Sequence, residues 1–431
     1  MLWMMWLACS PSNPSDPPTV DTGVANETGD TGVVPSGTSG WTGDTGDSGV
    51  LTGPDCVDAG CLVAVESLGR FEQAALQAVV DPAVQVDNGY EVFIVDYRTE
   101  GGRVATATVT LPIDATPPAD GWPVVANAHG TVGLDDPCRL SGTVSGSGLA
   151  GLFGARGTIG VAPDYLGLGG PDVHRYLDLY DEAVAVLDSL RAAESLALLE
   201  GVPSSGRSAV VGLSQGGHAT LAAATWHSRY APELDIRAFG AAGPASGFVE
   251  HWSNGVRFEG SHLALHAMLT WSFAEAAGAP LDGVWAAGFD PEPALLARCG
   301  WDPDFSGAPT LYDDFPTVPE DVFSTTFLAE YSGRTFDGFD FAADGFERNR
   351  VRPWLDVGEQ TAPIAVWQGT DDDVVPLFYT ADMVSDLQDA GVDITLHQVV
   401  GATHTNTAFG FLATPELATD ETVSWVLDAV R

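Results

Sequence analysis

The hydrophobic and polar positions of the chain follow two alternating patterns from about residue 90 onward. Short runs that are continuously apolar, or rich in β-branched and aromatic residues, predict strands at 90–97, 104–111, 123–128, 158–162, 207–211, 236–242, 364–368 and 394–400. Stretches with apolar residues at helical spacing predict helices at 149–154, 175–200, 217–224, 377–390 and 415–430. This alternation predicts an α/β fold with a mostly parallel sheet and helices on both faces.

Three segments add to this pattern. Residues 64–80 read as a helix that packs against the start of the folded domain. Glu100-Gly101-Gly102 separates the first two strands and predicts a hairpin. Residues 131–148 are rich in Gly and Ser and predict a loop.

Residues 246–352 interrupt the strand–helix alternation. They read as a helical cap inserted into a core formed by residues 56–245 and 353–431. The insertion contains four tryptophans, which are Trp252, Trp271, Trp285 and Trp301. We expect most of these rings to form the insertion's own small core. Because ligands bind at the carboxyl ends of parallel strands, an insertion here is also placed to cover a site.

The N-terminal region has a different composition. Residues 1–9 are apolar and end in Leu7-Ala8-Cys9, which resembles the end of a truncated bacterial lipoprotein signal. Residues 10–55 are rich in Asp, Thr, Gly, Ser and Pro and have little apolar surface to bury, so we expect a disordered acidic tether. These features predict an exported protein, held at the cell surface or in the periplasm through a lipidated Cys9, or else secreted.

Charge and cysteine content narrow the setting further. The formal net charge is −42, and all 17 basic residues are arginine. Such a surface repels phosphate backbones, which argues against a nucleic-acid partner. Beyond Cys9 four cysteines remain, and the favoured pairing is Cys56–Cys61 with Cys138–Cys299, although two other connectivities stay open. Disulfides fit an oxidising compartment. No His/Cys cluster indicates a zinc site, and no metal or organic cofactor is expected.

The strongest chemical signal is Gly212-Leu213-Ser214-Gln215-Gly216. It lies between a predicted strand and a predicted helix, the context of a nucleophile elbow. A serine hydroxyl is a weak nucleophile unless a sharp turn presents it to a base, and the flanking glycines leave room for that turn. The alternative is an ordinary Gly-rich turn with an incidental serine. We predict that Ser214 is a nucleophile.

Two later loops supply candidates for an acid and a base. Residues 369–376 follow the strand at 364–368 and contain three adjacent aspartates, Asp371, Asp372 and Asp373. Residues 401–404 follow the last strand and end at His404. Both loops are expected at the same edge of the sheet as the elbow, in the chain order Ser, Asp, His.

Several motifs together resemble the α/β-hydrolase superfamily and, within it, the secretory lipases of fungi and bacteria. They are His129-Gly130-Thr131 followed by Cys138, Pro163-Asp164-Tyr165-Leu166-Gly167, the elbow with Gly217, Gly369-Thr370-x-Asp372-x-x-Val375-Pro376, and His404. The family usually has Cys-Ala-Pro-Ser after the His-Gly loop, whereas Arg139-Leu140-Ser141 follows Cys138 here. The resemblance extends over residues 85–431 and implies an α/β-hydrolase fold. Register with the superfamily pattern selects Asp372 as the acid.

The remaining predicted roles concern the base and the oxyanion. His404 is the candidate base because it follows the last strand. His397 and His218 are expected to be structural, and His129 to brace the backbone. For the oxyanion hole, the backbone N–H of Gln215 is one expected donor, and the second is expected from Thr131, with Gly130 as the alternative.

The resemblance implies hydrolysis of carboxylic esters by a lipase or esterase through an acyl-serine intermediate. A peptidase or another acyl hydrolase with the same three residues is the first alternative. An inactive, surface-tethered binding module is the second, and the presence of serine, acid and base speaks against it.

Overall fold

A nine-stranded sheet organises the protein. The computed structural model describes residues 56–80, 84–170, 172–304, 306–351, 360–404, 407 and 419–431. The strands are β1 Leu62–Phe71, β2 Gly89–Arg98, β3 Val104–Ile113, β4 Trp122–Ala128, β5 Ile159–Pro163, β6 Ser204–Leu213, β7 Asp235–Ala242, β8 Ile364–Gly369 and β9 Ile394–Val399. Their order is β1-β2-β3-β5-β4-β6-β7-β8-β9. Neighbouring strands from β5 to β9 in this order pair in parallel, and the first four pair antiparallel.

Helices cover the sheet and form the insertion. They are α1 Gln73–Gln77, α2 Val144–Gly154, α3 Leu179–Leu199, α4 Gln215–Tyr230, α5 Phe248–Gly255, α6 Leu263–Ala277, α7 Glu292–Leu295, α8 Leu311–Asp314, α9 Pro319–Val322, α10 Thr325–Gly333, α11 Asp340–Asn349, α12 Leu377–Asp389 and α13 Thr419–Val430. Among the described residues, no helix is long and apolar enough to cross a membrane.

The central strands are buried on both faces, as their continuous apolar runs predict. On β4, Val124 and Ala126 pack into the main core with α3 and α4. The intervening Val125 packs on the other side with Leu152 of α2 and Val426 of α13. Successive side chains of a strand point to opposite faces, so one short apolar run contributes to the hydrophobic core on each face of the sheet. The predicted α/β fold with a mostly parallel sheet is confirmed.

The prediction of a helix over residues 64–80 is wrong for most of that range. β1 occupies residues 62–71 and pairs antiparallel with β2, from Leu62 opposite Tyr97 to Phe71 opposite Tyr90. β1 is an edge strand whose side chains are mostly exposed, so its sequence has no clear apolar alternation. Hydrogen bonds to β2, which the local sequence does not encode, decide its conformation.

The predicted starts of α2 and α3 are also wrong by a few residues. The loop predicted over residues 131–148 ends earlier, because α2 begins at Val144, where the Thr143 side chain accepts a hydrogen bond from the N–H of Gly146. The helix predicted from residue 175 begins at Leu179, where the Asp178 side chain accepts from the N–H of Asp181. Both starts are set by capping side chains. The predicted start of the last helix, at residue 415, lies outside the described residues, as do the predicted signal and tether.

Helices α5 to α11 lie between β7 and β8 and share a second hydrophobic core. Trp252 and Trp271 are buried in this core and Trp285 packs against it, whereas Trp301 packs against the main core. The structure contains both bridges of the favoured cysteine pairing. Cys138–Cys299 joins the segment before α2 to the insertion across 161 residues of sequence.

Candidate active site

Ser214 lies at a sharp turn between β6 and α4. Its φ is 58°, a left-handed conformation that is strained for a residue with a side chain. A side chain at either neighbouring glycine would clash with the backbone. A Cβ at Gly212 would lie 2.2 Å from the carbonyl oxygen of Gly216, and a Cβ at Gly216 would lie 2.0 Å from that of Ala128. The turn therefore holds the Ser214 side chain at the carboxyl end of β6.

Asp372 and His404 are brought together by the loops after β8 and β9. Nδ1 of His404 lies 2.8 Å from Oδ2 of Asp372. The same carboxylate oxygen accepts a bond from the Gln368 side chain at 2.7 Å, and Oδ1 accepts from the backbone N–H groups of Val374 at 3.0 Å and Val375 at 2.7 Å. These donors fix the position of the carboxylate beside the imidazole.

The three adjacent aspartates have different environments. Asp372 is buried, with 6% of its surface exposed, whereas Asp371 and Asp373 are exposed. Of the three, the imidazole of His404 pairs with Asp372. The superfamily register selects the same aspartate, and its role as the acid stays a prediction.

Ser214 and His404 both border one large cavity. The N–H of Ser214 donates to the carbonyl of Ala242 at 2.9 Å, and a Cβ on the next residue, Gly243, would lie 3.2 Å from Cε1 of His404. Nε2 of His404 is buried and has no hydrogen-bond partner among the residues described. The ring nitrogen that does not face Asp372 is thus an unused acceptor, with no hydrogen bond from Ser214 or another described residue in this structure.

The loop after β4 lies beside Ser214. A Cβ on Gly130 would be 3.8 Å from the Cβ of Ser214. The hydroxyl of Tyr165 donates to the carbonyl of His129 at 2.7 Å and thereby stabilises the loop. At its far end, Oγ1 of Thr131 and the hydroxyl of Tyr176 are 2.9 Å apart. Gly130 and Thr131 both line the cavity with Ser214.

Gln215 follows Ser214 and opens α4. The first N–H groups of a helix have no carbonyl within the helix to bind, so the N–H of Gln215 is suited to an external acceptor. Its side chain points into the protein, where the amide nitrogen lies 2.9 Å from Oε1 of Glu182 and 2.7 Å from Nε2 of His174. These side-chain contacts fix the position of Gln215, whose backbone is part of the elbow.

A buried polar network continues from Glu182. Oε2 of Glu182 lies 2.6 Å from Nδ1 of His218, and Nε2 of His218 lies 2.8 Å from the carbonyl oxygen of Asn349 at the end of α11. Burial raises the pKa of Glu182. Burial opposes protonation of His218, but the nearby Glu182 carboxylate outweighs it and raises the pKa of His218. The pair therefore holds a proton between α3 and α4, directly behind the elbow.

The other histidines have structural contacts. His218 belongs to the buried network, the ring of His397 stacks on Trp367 at 5.0 Å, and Nδ1 of His129 lies 2.7 Å from the Gly130 carbonyl oxygen. Burial lowers the pKa of His129 to about 3, so its ring is neutral. Sequence reasoning did not single out Tyr176, His174 or Glu182, since each lies outside any recognisable motif.

The cavity measures about 1330 Å³ and is bordered by the core and the insertion. Most of its lining is apolar, and a few polar groups converge near Ser214, an arrangement typical of small-molecule sites. Within the described part of the chain, no group of three or more His, Cys, Asp or Glu side chains is arranged to hold a metal ion.

The chain resembles known proteins in part of its sequence and in its fold. The sequence model of the secretory lipase family matches residues 150–261. No curated protein matches the chain in sequence. A mutant of the rice cell wall degrading esterase LipA from Xanthomonas oryzae superposes with a TM-score of 0.72 at 20% identity, covering 87% of this chain and 100% of that one.

Two further solved structures are similar. A putative hydrolase from Legionella pneumophila gives a TM-score of 0.69 at 21% identity, covering 86% of this chain and 98% of its own. Candida antarctica lipase A in its closed state gives 0.58 at 18% identity, with coverages of 81% and 79%. The chain has the α/β-hydrolase fold, and its resemblance to the secretory lipases is confirmed by the family model over residues 150–261.

Proposed function

We propose that the protein hydrolyses carboxylic esters with Ser214 as nucleophile, His404 as general base and Asp372 as the acid that orients it. The observation that carries the proposal is the 2.8 Å contact between His404 and Asp372 on the cavity that Ser214 borders. The backbone N–H groups of Gln215 and Thr131, or of Gly130 in place of Thr131, stabilise the oxyanion.

The reaction proceeds in two halves. Oγ of Ser214 attacks the ester carbonyl carbon while Nε2 of His404 takes the hydroxyl proton, and the tetrahedral oxyanion forms beside the backbone donors. The bond to the alcohol oxygen then breaks, and His404 gives its proton to the departing alcohol. A water molecule repeats the sequence on the acyl-enzyme, which releases the carboxylic acid and returns the proton to Ser214. Asp372 stabilises the imidazolium in both halves.

The similarities to known proteins also support ester hydrolysis. Residues 150–261, which include the elbow, match the secretory lipase model, and similar folds include an esterase and a lipase. The apolar lining of the cavity favours ester substrates with acyl chains over charged substrates.

Replacement of Ser214 by alanine tests the proposal. We expect the S214A variant to lose p-nitrophenyl butyrate hydrolysis by at least about 10³-fold, because the nucleophile is absent. Ser208 lies on the same strand and is buried, so S208A is a matched control that should retain turnover. A fluorophosphonate probe should label the unaltered protein and S208A but not S214A. Unchanged turnover in S214A would remove Ser214 from the mechanism.

We also propose that the protein is exported and tethered through a lipidated Cys9, a residue outside the described structure. The two disulfides fit an oxidising compartment, and a secretory family is consistent with export. Cell fractionation of the full chain and its Cys9→Ser variant tests this. The unaltered protein should partition with membranes and C9S should not, whereas equal partitioning would contradict lipidation.

A further inference from the structure

The cavity has two arms with different chemistry. One arm, here called the α2 arm, runs along helix α2 and is lined by Leu76, Val86, Tyr90, Leu149, Leu152 and Ala155. Gly148, Leu152 and Ala155 are spaced by four and three residues, so they share one face of the helix and its end. Four lining side chains, those of Leu76, Val86, Tyr90 and Ala155, also form a small buried apolar cluster. No charged side chain is among the described lining residues of this arm.

The α2 arm begins near the nucleophile. The Asn127 side chain, one residue before the end of β4, donates to the carbonyl of Leu149 at 3.1 Å. The next residue, Ala128, packs against Gly216 of the elbow. Ala155 is six residues beyond Leu149, which corresponds to about 9 Å along a helix. An extended chain advances about 1.2 Å per bond, so roughly seven bonds span this length.

The other arm, here called the cap arm, lies under the insertion and is more polar. It is lined by Trp252, Asn254, Ser261, His262, His266 and Tyr312. Nδ1 of His266 and Nε1 of Trp252 are buried without a hydrogen-bond partner among the described residues. Burial holds the pKa of His266 well below its usual value, so the ring is neutral. Nδ1 of His266 and Nε1 of Trp252 have almost no accessible surface, so the polar groups that this arm offers to the hydroxyls of a ligand are the side chains of Asn254, Ser261 and Tyr312.

We propose that the α2 arm binds about the first eight carbons of the acyl chain of a medium- or long-chain ester, and that the cap arm receives its alcohol part. This assignment rests on the proposed ester hydrolysis at Ser214. An alkyl chain in the α2 arm contacts aliphatic side chains and the ring of Tyr90, whereas in the cap arm it would remove polar side chains such as those of Asn254 and Ser261 from water without compensation. The scissile carbonyl then lies between the arms, beside Gly130 and Ser214.

Two ester series measured on matched variants test the assignment. In the first, the acyl chain varies among p-nitrophenyl acetate, octanoate and palmitate. In the second, the alcohol varies between ethyl acetate and glyceryl monoacetate, whose free hydroxyl groups suit the cap arm. Leu152→Phe narrows the α2 arm, and Leu265→Phe narrows the cap arm, which Leu265 also lines. Ala155→Val is a smaller change in the α2 arm in case the first variant does not fold.

We expect Leu152→Phe to lower kcat/KM for palmitate at least about tenfold while kcat/KM for acetate stays within about twofold. Ala155→Val should act in the same direction with a smaller effect. Leu265→Phe should leave the palmitate-to-acetate ratio within about twofold and lower the ratio of kcat/KM for glyceryl monoacetate to that for ethyl acetate.

The opposite pattern, with Leu265→Phe alone lowering the palmitate-to-acetate ratio, would overturn the assignment by placing the acyl chain under the cap. Unchanged ratios in all folded variants would also overturn it. Failure of the proposed function has a separate signature. In that case the unaltered protein hydrolyses no acetate ester and is not labelled by a fluorophosphonate, and the assignment of both arms falls with it.

Discussion

Nδ1 of His404 and Oδ2 of Asp372 are 2.8 Å apart, although the residues are separated by 32 positions in the sequence. The contact forms because β8 and β9 are parallel neighbours, so the loops that follow them leave the sheet at the same edge. A hydrogen bond at Nδ1 leaves Nε2 as the nitrogen that can accept a proton from Ser214.

The first prediction concerns the choice among three adjacent aspartates. Asp372→Asn should lower kcat for p-nitrophenyl butyrate by about 10³ to 10⁴-fold, because an amide can no longer stabilise the imidazolium or select its tautomer. Asp371→Asn and Asp373→Asn are matched controls at exposed positions and should remain within about twofold. A larger loss in either control than in D372N would assign the acid elsewhere.

A second prediction uses the glycine beside the imidazole. Gly243 has a φ of 47°, and a Cβ there would lie 3.2 Å from Cε1 and 3.3 Å from Nδ1 of His404. Gly243→Ala should therefore displace the ring by a few tenths of an ångström and lower kcat about tenfold, since catalysis depends steeply on alignment.

Gly391 provides the control for this change. Its φ is 90°, and nothing lies within 4 Å of a Cβ placed there. Gly391→Ala carries a similar left-handed strain of about 1–2 kcal/mol without touching the site. Both variants should lose thermal stability, and G243A alone should lose activity. Equal kcat values in the two variants would mean that His404 tolerates the contact.

The sequence predicted the parts of the fold that local patterns determine. The central strands β4, β6 and β8 were found because their continuous apolar runs are buried on both faces, and β2 and β3 because they are rich in β-branched and aromatic residues. β1 was missed because it is held by pairing with β2 at the sheet edge. The start of α2 was missed because the Gly- and Ser-rich turn after the Thr143 cap has a low helical propensity, and distant contacts add to the cap, such as the Ser145 hydroxyl donating to the Pro303 carbonyl.

The same distinction applies to the candidate site. Short motifs marked Ser214, Asp372 and His404 as candidates, since turn chemistry and chain order leave a local signature. Glu182 has no such signature. It reads as a polar position of an amphipathic helix, and its complete burial depends on His218, which is 36 residues away. Tyr176 likewise gains its place on the cavity through contacts with residues distant in the sequence, among them Thr131 and Ser272.

A third prediction concerns acid stability. Burial lowers the pKa of His174 from 6.5 to about 4, so the folded protein keeps this ring neutral while the unfolded chain protonates it. The free energy of unfolding should therefore fall as pH drops from about 6.5 to about 4. The contribution of His174 to this fall is about 3 kcal/mol.

Urea unfolding of the His174→Asn variant measures that contribution. H174N is less stable at neutral pH because it loses the contacts to Gln215 and Leu166, but its free energy of unfolding should fall less on acidification. His397→Asn replaces a half-buried histidine that stacks on Trp367 and serves as the control. Parallel pH profiles for H174N and the unaltered protein would contradict the prediction.

The last prediction compares the two disulfides, which close loops of very different length. Cys138 and Cys299 are separated by 161 residues, and Cys56 and Cys61 by five. The chain-entropy model gives about 5 kcal/mol of stabilisation for the long loop and about 2 kcal/mol for the short one. The Cys138→Ser, Cys299→Ser double variant should therefore lose more unfolding free energy than the Cys56→Ser, Cys61→Ser double variant.

The long-loop bridge should also affect turnover. Next to it, the N–H of Gly300 donates to the carbonyl of Val132 at 2.7 Å, and Val132 follows the proposed oxyanion donor Thr131. Loss of the bridge loosens this contact between the insertion and the loop after β4, so kcat should fall in C138S/C299S. The measurement is made at a temperature where both double variants remain folded. The C56S/C61S variant should keep the kcat of the unaltered protein, because its bridge lies beside β1, at the opposite edge of the sheet from β9. Equal kcat values in the two double variants would show that the bridge stabilises the fold without positioning the loop.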